Sequence, residues 1–135
     1  MRVLVIGPNK CEHFKLLNTW LDHVKELKDI TCLIHGNRTE TDRLADEWAS
    51  RNDVPVLVFP TFFTNITDRP RVVKKTPQGR YFNSLAEANT NRRMVQQGKP
   101  DLVLSLSTNS KKSNLLAVCE RAEERGKLGV IKIGC

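Results

Sequence analysis

Three short stretches of this 135-residue chain place small, hydrogen-bonding and cationic residues at the ends of apolar runs. They are Gly7-Pro8-Asn9-Lys10, then His35-Gly36-Asn37-Arg38-Thr39, and finally the segment from Ser105 to Asn114 that holds Ser107, Thr108, Asn109, Lys111 and Lys112. Backbone N–H groups and hydroxyls at such turns, with a lysine or arginine beside them, suit phosphate or another multiply oxygenated anion. Any one of these stretches alone also builds an ordinary turn or helix cap. Three of them converging on one sheet edge would make a binding site.

Several other residues are equipped for chemistry. Asp42 and Asp46 stand four apart, with Glu40 and Glu47 beside them. Paired carboxylates bind metal or exchange protons, yet acidic residues in a helix's first turns also simply complement its dipole. Asp42 is the one near the loop, where it would accept from a ribose hydroxyl or orient Arg38. His35, at a strand end, suits either a ligand contact or a structural hydrogen bond. Asn91 and Arg92 open a further route to the same edge, because arginine forks onto phosphate; a solvated helix face is the equal alternative. Neither Gly-x-x-x-x-Gly-Lys-Ser/Thr nor Gly-x-Gly-x-x-Gly occurs, which removes the ordinary triphosphatase and dehydrogenase readings. Cys11, Cys32, Cys119 and Cys135 form no Cys-x-x-Cys pair and no zinc-like spacing with His13, His23 or His35. We therefore expect no metal or cofactor, and structural thiols at Cys32 and Cys119.

The elements that must position these groups alternate. Val3 to Ile6 reads as a strand, followed by a helix whose Phe14, Leu17, Leu21, Val24 and Leu27 recur at three- and four-residue steps. Ile30 to Ile34 reads as a second strand. Thr39-x-x-Asp42 is a capping box for a helix carrying Leu44, Ala45, Trp48 and Ala49 on one face and ending at Asn52-Asp53. Val54 to Phe59 is a third strand, with Pro55 at its beginning. A second capping box, Ser84-x-x-Glu87, starts a helix that runs to Gly98; Leu102 to Leu106 is a fourth strand. Asn109 to Ser113 leads into a helix with Leu115, Leu116, Cys119 and Ala122 inward and Gly126 closing it, before a fifth strand at Val130 to Ile133. This alternation predicts an α/β fold: a Rossmann-like three-layer sandwich around a mainly parallel five-stranded sheet, formed as one domain over residues 1–135.

The alternation breaks at about 61–83. Arg71-Val72-Val73-Lys74-Lys75 and Arg80-Tyr81-Phe82 flank Thr76-Pro77-Gln78-Gly79, a β-turn sequence, so the insertion is expected to form a basic hairpin arm. Its Arg69, Arg71, Lys74, Lys75 and Arg80 against Asp68 supply +4 of the chain's net +7. The charge excess is thus local, and it points to an anionic partner. The hydrophobic fraction, 39%, suffices for one core. No run approaches membrane-spanning length and no secretory leader is evident, so a soluble cytoplasmic protein without a membrane partner is expected.

Val5-Ile6-Gly7, His35-Gly36 with Asp42-Arg43-Leu44-Ala45 and Trp48-Ala49, then Val56, Phe59-Pro60, Asn91-Arg92 with Met94-Val95, and Lys99-Pro100-Asp101-Leu102-Val103-Leu104 together resemble a small bacterial and phage branch of the SLOG superfamily. The resemblance implies a Rossmann-like fold that binds nucleotides or nucleotide-derived molecules. Relatives include lysine decarboxylase-like phosphoribohydrolases, DNA-processing proteins and defence-signal sensors. In the branch's Gly-Ala-Arg-Gly-Ala-Asp-like segment, Gly36, Arg38 and Asp42 fit. Its glycine-rich loop after the fourth strand is replaced by Ser107-Thr108-Asn109-Ser110-Lys111-Lys112, and the Pro-Gly-Gly-x-Gly-Thr loop of the phosphoribohydrolases is missing.

The leading expectation is a non-catalytic module for a phosphorylated nucleotide-like small molecule, held by Gly7, Pro8, Asn9, Lys10, His35, Gly36, Asn37, Arg38, Thr39, Asp42, Asn91, Arg92, Ser107, Thr108, Asn109, Lys111 and Lys112. For a phage member the resemblance implies sequestration of a host defence nucleotide. The alternatives are a degenerate nucleotide hydrolase using Asp42 or Glu87, and a nucleic-acid-binding protein using the basic arm, with Tyr81 and Phe82 to stack on bases. The aromatic pairs Phe62-Phe63 and Tyr81-Phe82 also suggest a homo-oligomer interface.

Overall fold

A computed structural model describes residues 1–10, 14–107 and 113–134. Thr108, Asn109, Lys111 and Lys112 of the expected binding set, and Cys11 and Cys135, lie outside the described residues.

The chain forms β1 (Arg2–Ile6), α1 (Phe14–Leu27), β2 (Cys32–His35), α2 (Glu40–Arg51) and β3 (Val56–Val58), then the arm strands β4 (Val73–Lys75) and β5 (Tyr81–Asn83). It continues with α3 (Ala86–Gln96), β6 (Leu102–Ser107), α4 (Asn114–Glu124) and β7 (Gly129–Gly134). The main sheet has five strands in the order β3-β2-β1-β6-β7, every pair parallel. From β1 the chain steps outward to β2 and β3, then returns across β1 to β6 and β7. The reversal between β1 and β6 is where crossovers diverge and a cleft opens beyond the strands' carboxyl ends.

The central strands β1, β2 and β6 are buried because both faces of the sheet are covered, whereas the edge strands β3 and β7 leave Val58 and Lys132 exposed. Val3, Val5, Leu33, Leu104 and Leu106 pack under α1 and α2, joined by Leu17, Leu21, Ala45 and Trp48. Leu4, Ile6, Ile34 and Val103 pack under α3 and α4, with Met94, Leu115, Leu116 and Cys119. Buried Trp48 donates its ring N–H to Asp22 Oδ1 at 2.8 Å, tying α2 to α1. Cys32 and Cys119 are free buried thiols. Among the described residues no helix is long and apolar enough to cross a membrane.

The expected elements are present, with corrections at their ends. The α1 stripe is narrower than its period suggested: Leu17, Leu21 and Val24 are buried, whereas Phe14 and Leu27, at the two helix ends, overrun the sheet and are exposed. The second strand starts later, at Cys32, and runs through His35. Ser105 and Ser107 belong to β6 rather than to the loop after it, and Asn114 opens α4.

Thr39 caps α2 by accepting from Asp42 N–H at 3.1 Å, but Asp42 Oδ2 accepts from Arg38 N–H at 3.0 Å instead of returning to Thr39. Only half of the first capping box therefore forms. The second does not form at all. The N-cap of α3 is Leu85, with no side-chain cap; Ser84 Oγ donates to Val72 O, and Asn83 Oδ1 takes the Leu85 N–H. These residues are spent docking the arm.

At the end of α3, Lys99 rather than Gly98 carries the positive φ, 49°. Gly98 is needed for space: a Cβ there would stand 2.2 Å from Met94 O. Gly126 does close α4, at φ 72°, with Gly126 N–H bonded to Glu123 O and Lys127 N–H to Ala122 O.

The insertion is the expected hairpin. β4 and β5 pair antiparallel, Gly79 N–H reaches Thr76 O, and Gly79 takes φ 86°, the left-handed position that follows a tight turn. Arg69, Arg71, Lys74, Lys75 and Arg80 are all exposed.

Candidate functional site

A cleft of about 380 Å³ opens at the carboxyl edge of the sheet, at the β1/β6 reversal. Gly7 and Asn9 border it after β1, Arg38, Thr39 and Asp42 after β2, Glu87 from α3, and Ser113 and Leu115 at the start of α4. Phe63, from the insertion, completes the wall. Two helix N-termini meet here. Thr39 caps α2, and Ser113 caps α4 by accepting from Leu116 N–H at 3.1 Å. Positive helix ends of this kind favour an anion.

Arg38 is the centre of the arrangement. Its Nη2 donates to Asn91 Oδ1 at 2.6 Å, and Asn91 Nδ2 donates to Asn114 Oδ1 at 2.9 Å, so one buried amide links the β2 loop, α3 and α4. Arg38 Nη1 lies 3.1 Å from Glu87 Oε1 as an ion pair. That contact lacks hydrogen-bond geometry, and Nη1 is buried without an acceptor among the described residues. Buried donors rarely go unpaired, so an acceptor oxygen entering the cleft would complete the guanidinium.

Gly36 explains how Arg38 folds back. A Cβ at Gly36 would stand 2.6 Å from Met94 Cε and 2.8 Å from Arg38 Nε. The loop glycines therefore make room for protein rather than for ligand. At Gly7 a Cβ would meet the Thr41 side chain at 2.3 Å, and Thr41 Oγ1 in turn donates to Pro8 O. Glu40 N–H bonds Asn9 O, which fastens the first loop to the start of α2.

The sequence-derived candidates separate in space. Gly7, Asn9, Arg38, Thr39 and Asp42 border the cleft, and Asn91 supports it from beneath. Pro8 serves through its carbonyl, Lys10 is exposed beside the first loop, and Asn37 is exposed at φ 52°. Ser107 ends β6. His35 is buried and does not border the cleft: Asn37 N–H donates to its Nδ1 at 2.9 Å, leaving Nε2 to donate to Asp46 Oδ2 at 2.6 Å. It braces the loop against α2.

Arg92 faces elsewhere, donating to Asn89 Oδ1 and bordering a groove between α3 and α4. Successive helix residues point about 100° apart, so the run Asn89, Asn91, Arg92, Arg93 cannot serve one edge. Asn89 Nδ2 instead holds Pro70 O at 2.9 Å, and Arg93 pairs with Asp68. Both anchor the arm. The hydrogen bond from Arg93 holds the Asp68 carboxyl below its ordinary range, against a smaller opposing effect of burial, and Asp68 raises Arg93 in return.

Phe63 and Ser113 were not among the sequence candidates for the cleft. Ser113 is recognisable as a helix cap, but no local pattern shows that the insertion returns Phe63 to the sheet edge.

An all-parallel sheet with helices on both faces, and a cleft at its topological reversal, defines a Rossmann-like α/β domain. Residues 1–64 match the family model of the YspA, cpYpsA-related SLOG family, so just under half of the chain is similar to that family. The match covers β1 through β3 and stops as the insertion begins. No curated protein matches the chain.

Proposed function

We propose that the cleft binds a phosphorylated nucleotide or nucleotide-derived small molecule and holds it without turning it over, in a sensing or sequestering role. The observation that carries this reading is the buried Arg38 Nη1, which lacks a hydrogen-bond acceptor among the described residues where two helix N-termini converge. A phosphate oxygen supplies that acceptor and meets the positive helix ends. Phe63 on the wall offers a face for a base. The cleft volume of about 380 Å³ lies within the range of small-ligand sites. In support of holding over hydrolysis, Asp42 is engaged by Arg38 N–H and Glu87 by the guanidinium, so both carboxylates already have structural work.

Calorimetry at low salt with nucleoside mono-, di- and cyclic phosphates tests the reading. Saturable binding lost in Arg38→Ala is expected; no saturable binding to any of them refutes it.

A second reading rests on Asp42 and Glu87 bordering the same cleft. As a nucleotide hydrolase, the protein would release free base or ribose phosphate, detectable by chromatography and abolished in Asp42→Asn.

A further inference from the structure

A second and larger groove, about 590 Å³, runs between α3 and α4 and ends at the turns that enter β6 and β7. Pro100 and Asp101 precede β6, and Leu128 precedes β7, so the groove lies toward the amino edge of the sheet, away from the Arg38 cleft. Its floor is aliphatic: Val95, Val118, Ala122, Leu128 and Pro100. Val95 and Leu128 form the outer edge of the core under α3 and α4.

Arg92, Lys99, Arg121, Arg125 and Lys127 rim that floor, and all five are exposed. None forms an ion pair among the described residues, and Arg92 donates only to the neutral Asn89 amide. Asp101, the one acidic lining residue, is held by Arg2 N–H at 2.8 Å. Cations suit helix C-termini, but that effect fades within one turn. It bears on Arg121, in the last turn of α4, and on Lys99, Arg125 and Lys127 just past the ends of α3 and α4, but not on Arg92 within α3. Nor does it explain why all five stand without an ion pair among the described residues around one aliphatic trough.

We infer that this groove docks an acidic amphipathic helix of a partner protein. Aliphatic anchors at i, i+4 and i+7 would lie on the floor, and flanking carboxylates would meet Arg121 in the last turn of α4 and Arg125 at its C-cap, and Arg92 and Lys99 on the opposite wall. The lining residues include no aromatic ring, so nucleic acid bases have nothing to stack on. A net charge of +7 disfavours a second copy of this chain. Long exposed cations along a rim steer many carboxylates, whereas small-ligand sites rely on a few fixed polar groups.

The probe is a fluorescein-labelled helical peptide of about four turns, with leucine anchors and glutamate flanks, titrated into the full chain by anisotropy. A lysine-for-glutamate version serves as control. Saturable binding that weakens with salt is expected, with a loss of roughly tenfold or more in Arg121→Glu/Arg125→Glu. Lys74→Glu/Lys75→Glu in the arm should leave affinity unchanged. Because all the altered residues are exposed, the fold should survive; Lys99→Glu/Lys127→Glu repeats the test on other elements.

Absent binding, equal binding by the lysine peptide, or unchanged affinity in both groove variants would overturn the inference. So would a loss of the same size in the arm variant, tighter binding of a single-stranded oligonucleotide that the groove variants abolish, or displacement by a free aliphatic dicarboxylate at peptide concentrations. None of these outcomes bears on nucleotide binding at the Arg38 cleft.

Discussion

Glu87→Gln should increase the affinity of the cleft for phosphorylated ligands. Glu87 Oε1 lies 3.1 Å from Arg38 Nη1, with the glutamate side chain 60% exposed and the arginine 21% exposed. A pair this accessible contributes roughly 0–1 kcal/mol, so removing it should move the melting temperature by about 4 °C or less. A bound phosphate dianion is affected more. Seated on Arg38 about 6 Å from the Glu87 carboxylate, it would experience a repulsion of about 1.4 kcal/mol at the dielectric constant of water. Salt at about 0.1 M reduces that to about 0.8 kcal/mol. The glutamine variant should therefore bind about tenfold tighter at low salt and about fourfold tighter at the higher salt. Titration calorimetry with a nucleoside 5′-monophosphate, at both ionic strengths, measures this. Unchanged or weaker affinity would refute the reasoning, because Glu87 would then be a ligand contact and Arg38 would not be the anion's partner.

Further expectations concern the scaffold. Asn91→Ala removes the amide that joins Arg38 to Asn114, and leaving buried polar partners unpaired costs about 1–3 kcal/mol. Urea unfolding should show that loss, and nucleotide affinity should fall with it. Since Arg93 lowers the Asp68 pKa below its ordinary 3.8, the contribution of this pair to arm docking is fully present above about pH 4 and is lost as pH falls through the depressed value. Proteolysis of the 61–83 segment should therefore be pH-independent from neutrality down to about pH 4 and faster below it. Burial, reinforced by Glu120, pushes the Cys119 thiol up to about 12. In the native protein the Cys119 peptide should resist iodoacetamide at pH 8 and react once urea unfolds the chain. The same raised value makes its contribution to stability complete below about pH 9 and progressively lost above it.

The arm shows how a turn can be read correctly from local sequence while a neighbouring capping pattern is overridden. Its turn was legible because Thr76-Pro77-Gln78-Gly79 specifies a tight reversal through local φ/ψ preferences alone. Ser84 and Glu87 also formed a valid capping pattern, yet Ser84 bonds Val72 and Glu87 pairs with Arg38. A cap contributes about 1 kcal/mol, and tertiary partners can redirect the same side chains.

Periodicity and turn chemistry, which depend on near neighbours, determined the order of the elements, the parallel sheet and the edge at which the cleft opens. The stretch Gly36-Asn37-Arg38-Thr39 with Asp42 was recognisable for that reason. What only the tertiary structure decided is how residues distant in the chain meet. Asn91 lies 53 positions from Arg38 yet holds its guanidinium, Phe63 returns to the cleft wall, His35 turns away to Asp46, and Arg92 joins a groove at the other edge. Those outcomes depend on which face of α3 packs on the sheet and on where the insertion docks. Both are set by the burial of Met94 and by contacts such as Asp68 with Arg93, which no short window of sequence contains.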